Sequence, residues 1–242
     1  MMKKKISKSE PIPVIAEVDP KSPAVEGYRA LRTNIQFAEL DHPCRSIVVT
    51  SATAGEGKTT TAANFAVIAA QVGTSVCLID ADLRRPSLHR IFGLSNTAGL
   101  TTALVQGRPL AELAQATRVP HLFVLPTGPL PANPAELVGS RRMRSFVEAA
   151  SEKFELIVLD TPPVLAASDA VALSAQCDGV VFVIRSGTVP NEAVRHAVEQ
   201  IHAVKGRILG VLLNRLDPRK NGQYQDYYRY YRNYYGNGAT KP

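Results

Sequence analysis

The residues best suited to chemistry lie in the segment SIVVTSATAGEGKTTTAANFA, at positions 46–66. An apolar run there leads into Ala52-x-x-x-x-Gly57-Lys58-Thr59, and helix-forming residues follow at once. In this pattern the glycines let backbone N–H groups face a phosphate, the lysine reaches its outer oxygens, and the threonine hydroxyl can bind Mg²⁺. The segment therefore predicts a phosphate-binding loop (P-loop), although alanine replaces the usual first glycine. The predicted nucleotide contacts are Ala54, Gly55, Glu56, Gly57, Lys58, Thr59 and Thr60.

Three aspartates at the ends of apolar runs can contribute charge to the same site. Asp80 and Asp82 follow one run in LIDADLRRP, and Asp160 follows another in LIVLDTPP. The carboxyl ends of parallel strands meet at one edge of a sheet, where ligands bind, so we expect the three carboxylates beside the P-loop. With Thr59 they form a predicted Mg²⁺ site, and one of them can accept a proton. A strand-end aspartate can instead cap a helix, which is our expectation for Asp169.

Tyrosine hydroxyls are concentrated near the C-terminus, in GQYQDYYRYYRNYYGNG at positions 222–238. Only Tyr28 lies elsewhere, and no aliphatic residue occurs between Lys220 and Gly238. A segment of this composition is predicted to be disordered, which would let its phenols reach an active site. The i, i+3/i+4, i+7 spacing of several tyrosines leaves two alternatives open, a packed helix or an adhesive tract that drives assembly. The clustered tyrosines are Tyr224, Tyr227, Tyr228, Tyr230, Tyr231, Tyr234 and Tyr235.

A series of apolar runs and helical patterns provides the elements that must position these groups. The runs lie at 46–50, 75–80, 121–126, 156–160, 179–184 and 208–214. They are apolar throughout rather than alternating, which is typical of strands buried on both faces of a parallel sheet. Helical patterns over 58–72 and 190–203 fit the crossovers between such strands. The sequence thus predicts an α/β fold, a doubly wound, mostly parallel sheet flanked by helices.

The chain is predicted to form one domain with a tail at each end. Residues 1–21 are rich in lysine, proline and serine and are predicted to be flexible, residues 22–215 form the P-loop domain, and residues 216–242 form the tyrosine-rich tail. The domain opens with a predicted helix over 22–40, which Ser22 caps at its N-terminus.

Charge and composition exclude several other classes of protein. The net charge is +7, yet residues 46–214 carry 14 basic and 13 acidic side chains, so the fold itself has little excess charge and nucleic acid is not an expected partner. No run of about 18 apolar residues and no secretory signal is present, which predicts a cytoplasmic protein. The isolated cysteines Cys44, Cys77 and Cys177 predict reduced thiols, the last two of them packed in the core.

Taken together, the motifs resemble those of the bacterial tyrosine kinases of capsular and exopolysaccharide biosynthesis, P-loop proteins of the MinD/ParA-like superfamily. The resemblance runs from about residue 22 to the end and rests on ATAGEGKT, LIDADLRRP, LIVLDTPP, the upstream EGYRALR and the tyrosine cluster. It implies ATP and Mg²⁺ as cofactors, autophosphorylation of the clustered tyrosines, and a contact of Asn214 and Arg215 with the base. The residues that it implies for catalysis are Lys58, Asp80, Asp82 and Asp160.

The same resemblance implies partners. Within EGYRALR, Glu26, Arg29 and Arg32 recur at three-residue spacing on one helical face, a pattern that in this family resembles a subunit contact of a ring. A solvated helix face is the alternative. The other expected partners are a membrane-anchored activator of the polysaccharide chain-length or export type, which docks beside the nucleotide site, and a phosphotyrosine phosphatase. The protein would then lie at the inner face of the cell membrane through its activator.

Two other functions stay open. A MinD/ParA-like ATPase switch would hydrolyse ATP and position or assemble a membrane-associated complex without phosphorylating tyrosine. Such ATPases resemble one another in having a second, signature lysine five residues before the P-loop lysine. This chain has Thr53 at that position, which favours the kinases. A scaffold that binds ATP without turnover is the third reading, which the complete set of lysine and aspartates disfavours.

Overall fold

The computed structural model describes residues 14–38 and 44–216, so the predicted tyrosine-rich tail lies outside the described residues. The strands are β1 (Ser46–Ser51), β2 (Val76–Asp80), β3 (Gln115–Ala116), β4 (Leu122–Leu125), β5 (Leu156–Asp160), β6 (Gly179–Arg185) and β7 (Ile208–Asn214). The helices are α1 (Ile15–Val18), α2 (Pro23–Ala38), α3 (Lys58–Ala70), α4 (Leu88–Phe92), α5 (Leu100–Gln106), α6 (Leu110–Leu113), α7 (Pro134–Val138), α8 (Arg141–Lys153), α9 (Asp169–Ser174) and α10 (Asn191–Ala203).

The strands form one sheet in the order β3-β4-β2-β5-β1-β6-β7. All neighbouring pairs are parallel except β3 with β4, a two-residue edge pairing that the sequence did not predict. The predicted doubly wound, mostly parallel sheet is therefore confirmed. Because every long strand runs the same way, the carboxyl ends of β1, β2 and β5 lie side by side at one edge.

Helices cover both faces of the sheet and enclose two hydrophobic cores. Ile47 and Val49 of β1 point into a core shared with Phe65 of α3, and Val48 between them points into a second core shared with Met143 of α8. All six residues of β1 are buried, which explains why its sequence is apolar or small throughout instead of alternating.

The N-terminal segment corrects one prediction. Residues 14–21 belong to the segment predicted to be flexible, yet residues 15–18 form the short helix α1, and Val14 and Ala16 are 2% and 0% exposed. The Ala16 N–H donates to Asn64 Oδ1 of α3 at 2.9 Å, so a tertiary contact orders a segment that is too short to form a helix alone. Helix α2 follows as predicted, and the Ser22 hydroxyl accepts a hydrogen bond from the N–H of Ala24 at 3.3 Å.

Replacement of Asn64 with alanine tests how much this contact contributes. Asn64 is 1% exposed, and its Nδ2 also donates to the Thr60 carbonyl at 2.8 Å. Loss of the side chain leaves the Ala16 N–H without its acceptor, so we expect the free energy of unfolding to fall by about 1–3 kcal/mol. Urea unfolding measures the change. The exposed Asn191→Ala serves as the control, and an equal loss in both variants would show that the α1 contact contributes nothing.

The burial of the cysteines agrees with the prediction for Cys77 and departs from it for Cys177. All three cysteines are free thiols; Cys77 is fully buried in β2, while Cys177 is only partly buried at the edge of the second core. Among the helices in residues 14–38 and 44–216, none has the length and apolar character that a membrane span requires.

Candidate active site

The predicted P-loop connects β1 to α3 at the carboxyl edge of the sheet. Gly55 and Gly57 have φ angles of +83° and +100°, in the left-handed region that other residues adopt only with strain. A Cβ atom on Gly57 would also lie 2.0 Å from Asn214 Nδ2, so a side chain there would displace the Asn214 amide. These constraints explain both glycines of the motif and leave the first turn of α3 directed at a phosphate-binding position.

Glu56 is one of the predicted nucleotide contacts, but its side chain turns into the protein. It is 1% exposed: Oε1 accepts from the Thr53 N–H and, at 3.0 Å, from the Thr53 hydroxyl, and Oε2 accepts from the Arg185 N–H at 3.2 Å. Asn214 Nδ2 donates to the Glu56 carbonyl at 2.9 Å. Only the backbone of Glu56 is thus available for the predicted phosphate contact, and its side chain ties the loop to the ends of β6 and β7.

Removal of the Glu56 carboxylate should loosen the loop before nucleotide binds. Glu56→Ala leaves the N–H groups of Thr53 and Arg185 without acceptors, a cost of about 1–3 kcal/mol for each buried donor. Since an ordered loop is needed for phosphate binding, we expect the Kd for Mg·ADP to rise about tenfold or more. Titration calorimetry with the exposed Glu192→Ala as control decides the point. Unchanged affinity in Glu56→Ala would mean that the loop keeps its shape without this carboxylate.

Asp80 and Asp160 stand directly opposite each other, as partner residues of the parallel strands β2 and β5. Both are buried, at 0% and 1% exposure. Asp80 Oδ2 accepts hydrogen bonds from the N–H groups of Ser87 and Leu88 at 2.9 Å, which ties β2 to the start of α4. Asp80 Oδ1 and both carboxylate oxygens of Asp160 have no hydrogen-bond partner among the described residues. Unsatisfied buried carboxylate oxygens are costly, and a bound cation removes that cost.

The electrostatics of this pair favour a ligand of positive charge. Burial raises the pKa of Asp160 well above its ordinary value, and the adjacent Asp80 raises it further, while the Thr59 hydroxyl and the Lys58 ammonium oppose the change. Burial also raises the pKa of Asp80 to about 6, against hydrogen bonds from the Leu88 and Ser87 N–H groups that favour its charged form. Two carboxyl groups so placed are both charged only when a cation offsets them; otherwise one of them takes up a proton.

Asp82 and Asp169 occupy the flank of the site. Asp82 is half-buried, and its Oδ1 accepts from the N–H groups of Arg84 and Arg85 at 3.2 and 2.9 Å. Asp169 does not cap α9 as expected: it is the first residue of that helix, its Oδ2 accepts from Arg84, and its Oδ1 has no hydrogen-bond partner among the described residues. It is fully buried and accepts from Arg84 Nη2 at 3.0 Å, so it anchors the loop that carries Asp82.

The residues present fit Mg²⁺ together with a nucleotide. Lys58 is 8% exposed at the first position of α3, beside Thr59 and near enough to Asp160 to influence its titration. Within the described residues, no three His, Cys, Asp or Glu side chains form a metal-binding group by themselves. The donor set is therefore of the kind in which Mg²⁺ takes one or two carboxylates and completes its shell with hydroxyl, water and phosphate oxygens.

Comparison with known proteins identifies the family. Residues 47–238 match the family described as "CobQ/CobB/MinD/ParA nucleotide binding domain". The chain is also 44% identical over 214 residues to the tyrosine-protein kinase YwqD of Bacillus subtilis, covering 88% of this chain and 90% of that protein. The chain belongs to the bacterial tyrosine kinases.

Solved structures agree with this assignment. The crystal structure of the chimerical protein CapA2B2 is similar to this bacterial tyrosine kinase with a TM-score of 0.80 and 37% identity, over 88% of this chain and 94% of that one. The cell division ATPase MinD of Pyrococcus furiosus has a TM-score of 0.62 at 23% identity, over 72% of this chain and 74% of that one, which shows a shared fold alone.

Three residues of this bacterial tyrosine kinase that are predicted to form a ring contact lie on α2, within reach of one another. Arg29 Nη1 donates to Glu26 Oε2 at 3.0 Å, and Arg29 Nη2 donates to the Pro20 carbonyl at 2.9 Å. The Nε of Arg32 is buried and has no hydrogen-bond partner among the described residues. Two of the three side chains are thus already engaged within the subunit, and their role between subunits stays a prediction.

The sequence predicted the residues that form the site, but not the residues that hold those residues in place. The inward-turned pair Thr53 and Glu56 and the Arg84–Asp169 ion pair were not predicted. The one available signal was an acidic residue between two P-loop glycines, where a side chain facing the phosphates would repel them. Asn214 and Arg215 do follow the last strand beside the loop, but the amide of Asn214 contacts the Glu56 carbonyl, and their contact with a base stays a prediction.

Proposed function

We propose that this chain is an ATP-dependent protein-tyrosine kinase that phosphorylates the tyrosines of its own C-terminal tail. The observation that carries the proposal is the buried Asp80–Asp160 pair, whose unsatisfied oxygens lie beside the P-loop lysine. An arrangement of this kind serves phosphoryl transfer, in which catalysis consists mainly of positioning and charge neutralisation. The match to the tyrosine-protein kinase YwqD over 90% of that protein's length supports the choice of acceptor.

Each residue has a defined part in this proposal. The backbone N–H groups of residues 54–60 hold the phosphates, and Lys58 offsets the charge of the β- and γ-phosphate oxygens. Asp160, Asp80 and the Thr59 hydroxyl hold Mg²⁺ directly or through water. When bound, Mg²⁺ neutralises charge on the phosphate oxygens and lowers the barrier to transfer. Asn214 and Arg215, at the end of β7, flank the base.

The transfer itself is an in-line displacement. The phenolic oxygen of a tyrosine forms a bond to the γ-phosphorus, the bond from that phosphorus to the β–γ bridging oxygen breaks, and ADP leaves. The phenolic proton passes to a carboxylate and then to solvent. Asp82 suits this task better than Asp80, because Asp82 is half-buried and an incoming hydroxyl can reach it, whereas Asp80 is fully buried.

The tyrosines of the tail are the acceptors that the fold leaves available. Tyr28, the eighth tyrosine of the chain, is 6% exposed in the core between α2 and α3. Burial raises its pKa, an effect that the nearby Thr61 hydroxyl partly opposes, so its hydroxyl is a poor nucleophile. The remaining seven tyrosines all lie at 224–235, and these are the proposed phosphorylation sites.

The proposal extends to partners and place. Glu26, Arg29 and Arg32 contact a neighbouring subunit in a ring, a membrane-anchored activator of the polysaccharide chain-length or export type docks beside the nucleotide, and a phosphotyrosine phosphatase reverses the modification. The kinase then works at the inner face of the cell membrane and regulates capsular or exopolysaccharide synthesis and export. The MinD-like fold keeps an ATPase switch as the second candidate.

Phosphotyrosine formed per ADP released separates the two candidates. The experiment uses a variant of the full chain in which the seven tail tyrosines are replaced by phenylalanine. This variant is incubated with γ-labelled ATP, Mg²⁺ and a synthetic acceptor peptide of residues 222–238 that keeps its tyrosines. A kinase yields close to one phosphotyrosine on the peptide per ADP, whereas an ATPase switch releases ADP and inorganic phosphate and leaves the peptide unlabelled. The same reaction with a membrane fraction added shows whether an activator changes the rate or the product.

A further inference from the structure

A groove between α5 and α8 has a composition that the proposed reaction does not use. It encloses about 700 Å³, and its lining contains four cationic residues and no aspartate or glutamate. The cations are Arg108, Arg141, Arg142 and Lys153. The lining also includes the apolar residues Leu104, Val105 and Phe146, and Val105 is 58% exposed. The α5–α8 groove therefore combines apolar and cationic residues.

Arginines at the start of α8 are not explained by the helix itself. Its first turn holds no acidic residue, although the positive end of a helix dipole favours acidic and disfavours basic side chains there. Ser140 already caps the helix, because its hydroxyl accepts from the Met143 N–H at 3.2 Å. The dipole and the capping of α8 therefore do not account for the positive charge of Arg141 and Arg142.

The other contacts hold these cations over the groove. Arg142 Nη1 donates to the Leu104 carbonyl at 3.2 Å, which fixes it across the groove from α8 to α5. Arg108 pairs with Glu112 one turn away, but both side chains are about half exposed, at 44% and 54%. Pairs this exposed contribute little and exchange easily for a stronger anion. Arginine binds phosphate through two parallel hydrogen bonds, which makes it the usual residue for phosphotyrosine recognition.

We propose that the α5–α8 groove binds the phosphorylated form of this chain's own tail, residues 224–235, from the same subunit or a neighbour. The proposal rests on the proposed function for the source of the phosphate. From Arg215 onward the tail carries six basic and two acidic side chains, a net charge of +4, which the groove repels. Seven phosphotyrosines would add roughly −10 to −14 charges and reverse the sign.

The length and the composition of the tail agree with this proposal. Tyr224 and Tyr235 lie 8 and 19 residues beyond Leu216, the last described residue. An extended chain of those lengths spans roughly 25–30 Å and 60–70 Å, so the tyrosines can lie far from the end of β7. Residues 224–235 offer aromatic rings and no aliphatic side chains, which suits a lining that includes Phe146. A phosphorylated tail held there is withdrawn from active sites, so the groove would retain the product and limit further transfer.

Binding of a synthetic phosphopeptide tests the proposal without any kinase activity. The protein is the full chain with its seven tail tyrosines replaced by phenylalanine, and the probe is the peptide 222–238, phosphorylated at Tyr227, Tyr230 and Tyr234 or unmodified. We expect the phosphopeptide to bind at least about tenfold more tightly than the unmodified peptide. Arg141→Gln with Arg142→Gln should weaken phosphopeptide binding by about tenfold or more.

A matched pair separates the groove from general positive charge. Arg144 lies in the same first turn of α8 but does not line the groove, and Arg195 is exposed on α10. Arg144→Gln with Arg195→Gln removes two charges as well and should change affinity by less than about twofold. Equal losses in both double variants, or equal binding of both peptides, would overturn the proposal. A third outcome would also overturn the proposal: the Arg141→Gln, Arg142→Gln variant loses binding to phosphatidylserine vesicles but still binds the phosphopeptide. The groove would then contact a membrane.

Discussion

Lys58→Met should lower kcat for phosphoryl transfer by about a thousandfold. Lys58 is 8% exposed at the start of α3, and methionine has a similar length and apolar stem, so the loop can keep its shape. What is lost is one fixed positive charge at the developing charge of the transition state, an interaction worth about 3–4 kcal/mol when water is excluded. The rate of phosphotyrosine formation with saturating Mg·ATP measures the effect.

A second consequence of Lys58→Met identifies the cause as electrostatic. Lys58 lowers the pKa of Asp160, so its removal leaves the buried carboxylates without their neighbouring cation. The nucleotide-free variant should therefore unfold at a lower temperature than the wild type, and adding Asp160→Asn should restore part of that loss. Thermal unfolding of the single and double variants shows this coupling. Strictly additive changes would mean that the lysine and the aspartate do not interact.

Asp160→Asn should abolish activity and at the same time stabilise the nucleotide-free protein. Both oxygens of Asp160 are buried without hydrogen-bond partners, opposite a second carboxylate. A neutral amide removes the repulsion, and we expect a gain of about 1–3 kcal/mol, which corresponds to roughly 3–10 °C in Tm for a domain of this size. The variant should lose at least about a hundredfold in kcat, because Mg²⁺ loses a ligand.

The sign of the pH dependence follows from the direction of the shift. The folded-state pKa of Asp160 is raised above its unfolded value, so at high pH the folded state must hold a charge that burial disfavours. This penalty is relieved as the pH falls through the folded pKa, where the folded state takes up the proton first. The advantage in Tm of Asp160→Asn over the wild type should therefore be larger at pH 8 than at pH 5.5.

Asp178→Asn is a matched control for which we expect the opposite change in Tm. Its Oδ2 accepts hydrogen bonds from the N–H groups of Arg45 and Ser46 and from the Ser46 hydroxyl, at 2.8–2.9 Å. Asp178→Asn places amide donors against these donors and should lower Tm. If Asp160→Asn also lowered Tm across this pH range, the buried pair would be a stabilising feature, and its interpretation as a cation site without its cation would be wrong.

Much of the site could be predicted because its residues follow from topology. A glycine-rich turn between a strand and a helix, and acids that end apolar runs, reach one sheet edge whenever the strands are parallel. The register could not be predicted: that Asp80 faces Asp160 directly depends on how β2 and β5 slide past each other. Strand order and packing decide that register, and neither is a local property of the sequence.

The wrong expectations all concern contacts between distant residues. Asp169 was expected to cap its own helix, yet it pairs with Arg84, 85 positions earlier. Residues 15–18 were expected to be flexible from the composition of residues 1–21, yet Asn64 of α3 supplies a contact that orders them. The contact of Glu56 with the nucleotide stays a prediction, but the sequence did not indicate that donors from Thr53 and Arg185 draw its side chain inward. Local propensity cannot anticipate a partner that only the folded chain brings near.

The most direct test of the proposed function is the intact mass of the full chain after incubation with ATP and Mg²⁺, followed by mapping of the modified residues. Wild type and Lys58→Met are compared, each with and without a membrane fraction as a source of activator. Addition of several phosphates between Tyr224 and Tyr235 in the wild type alone is the predicted result. A wild type that gains no phosphate under either condition while it steadily releases ADP would contradict tyrosine autophosphorylation and favour an ATPase switch.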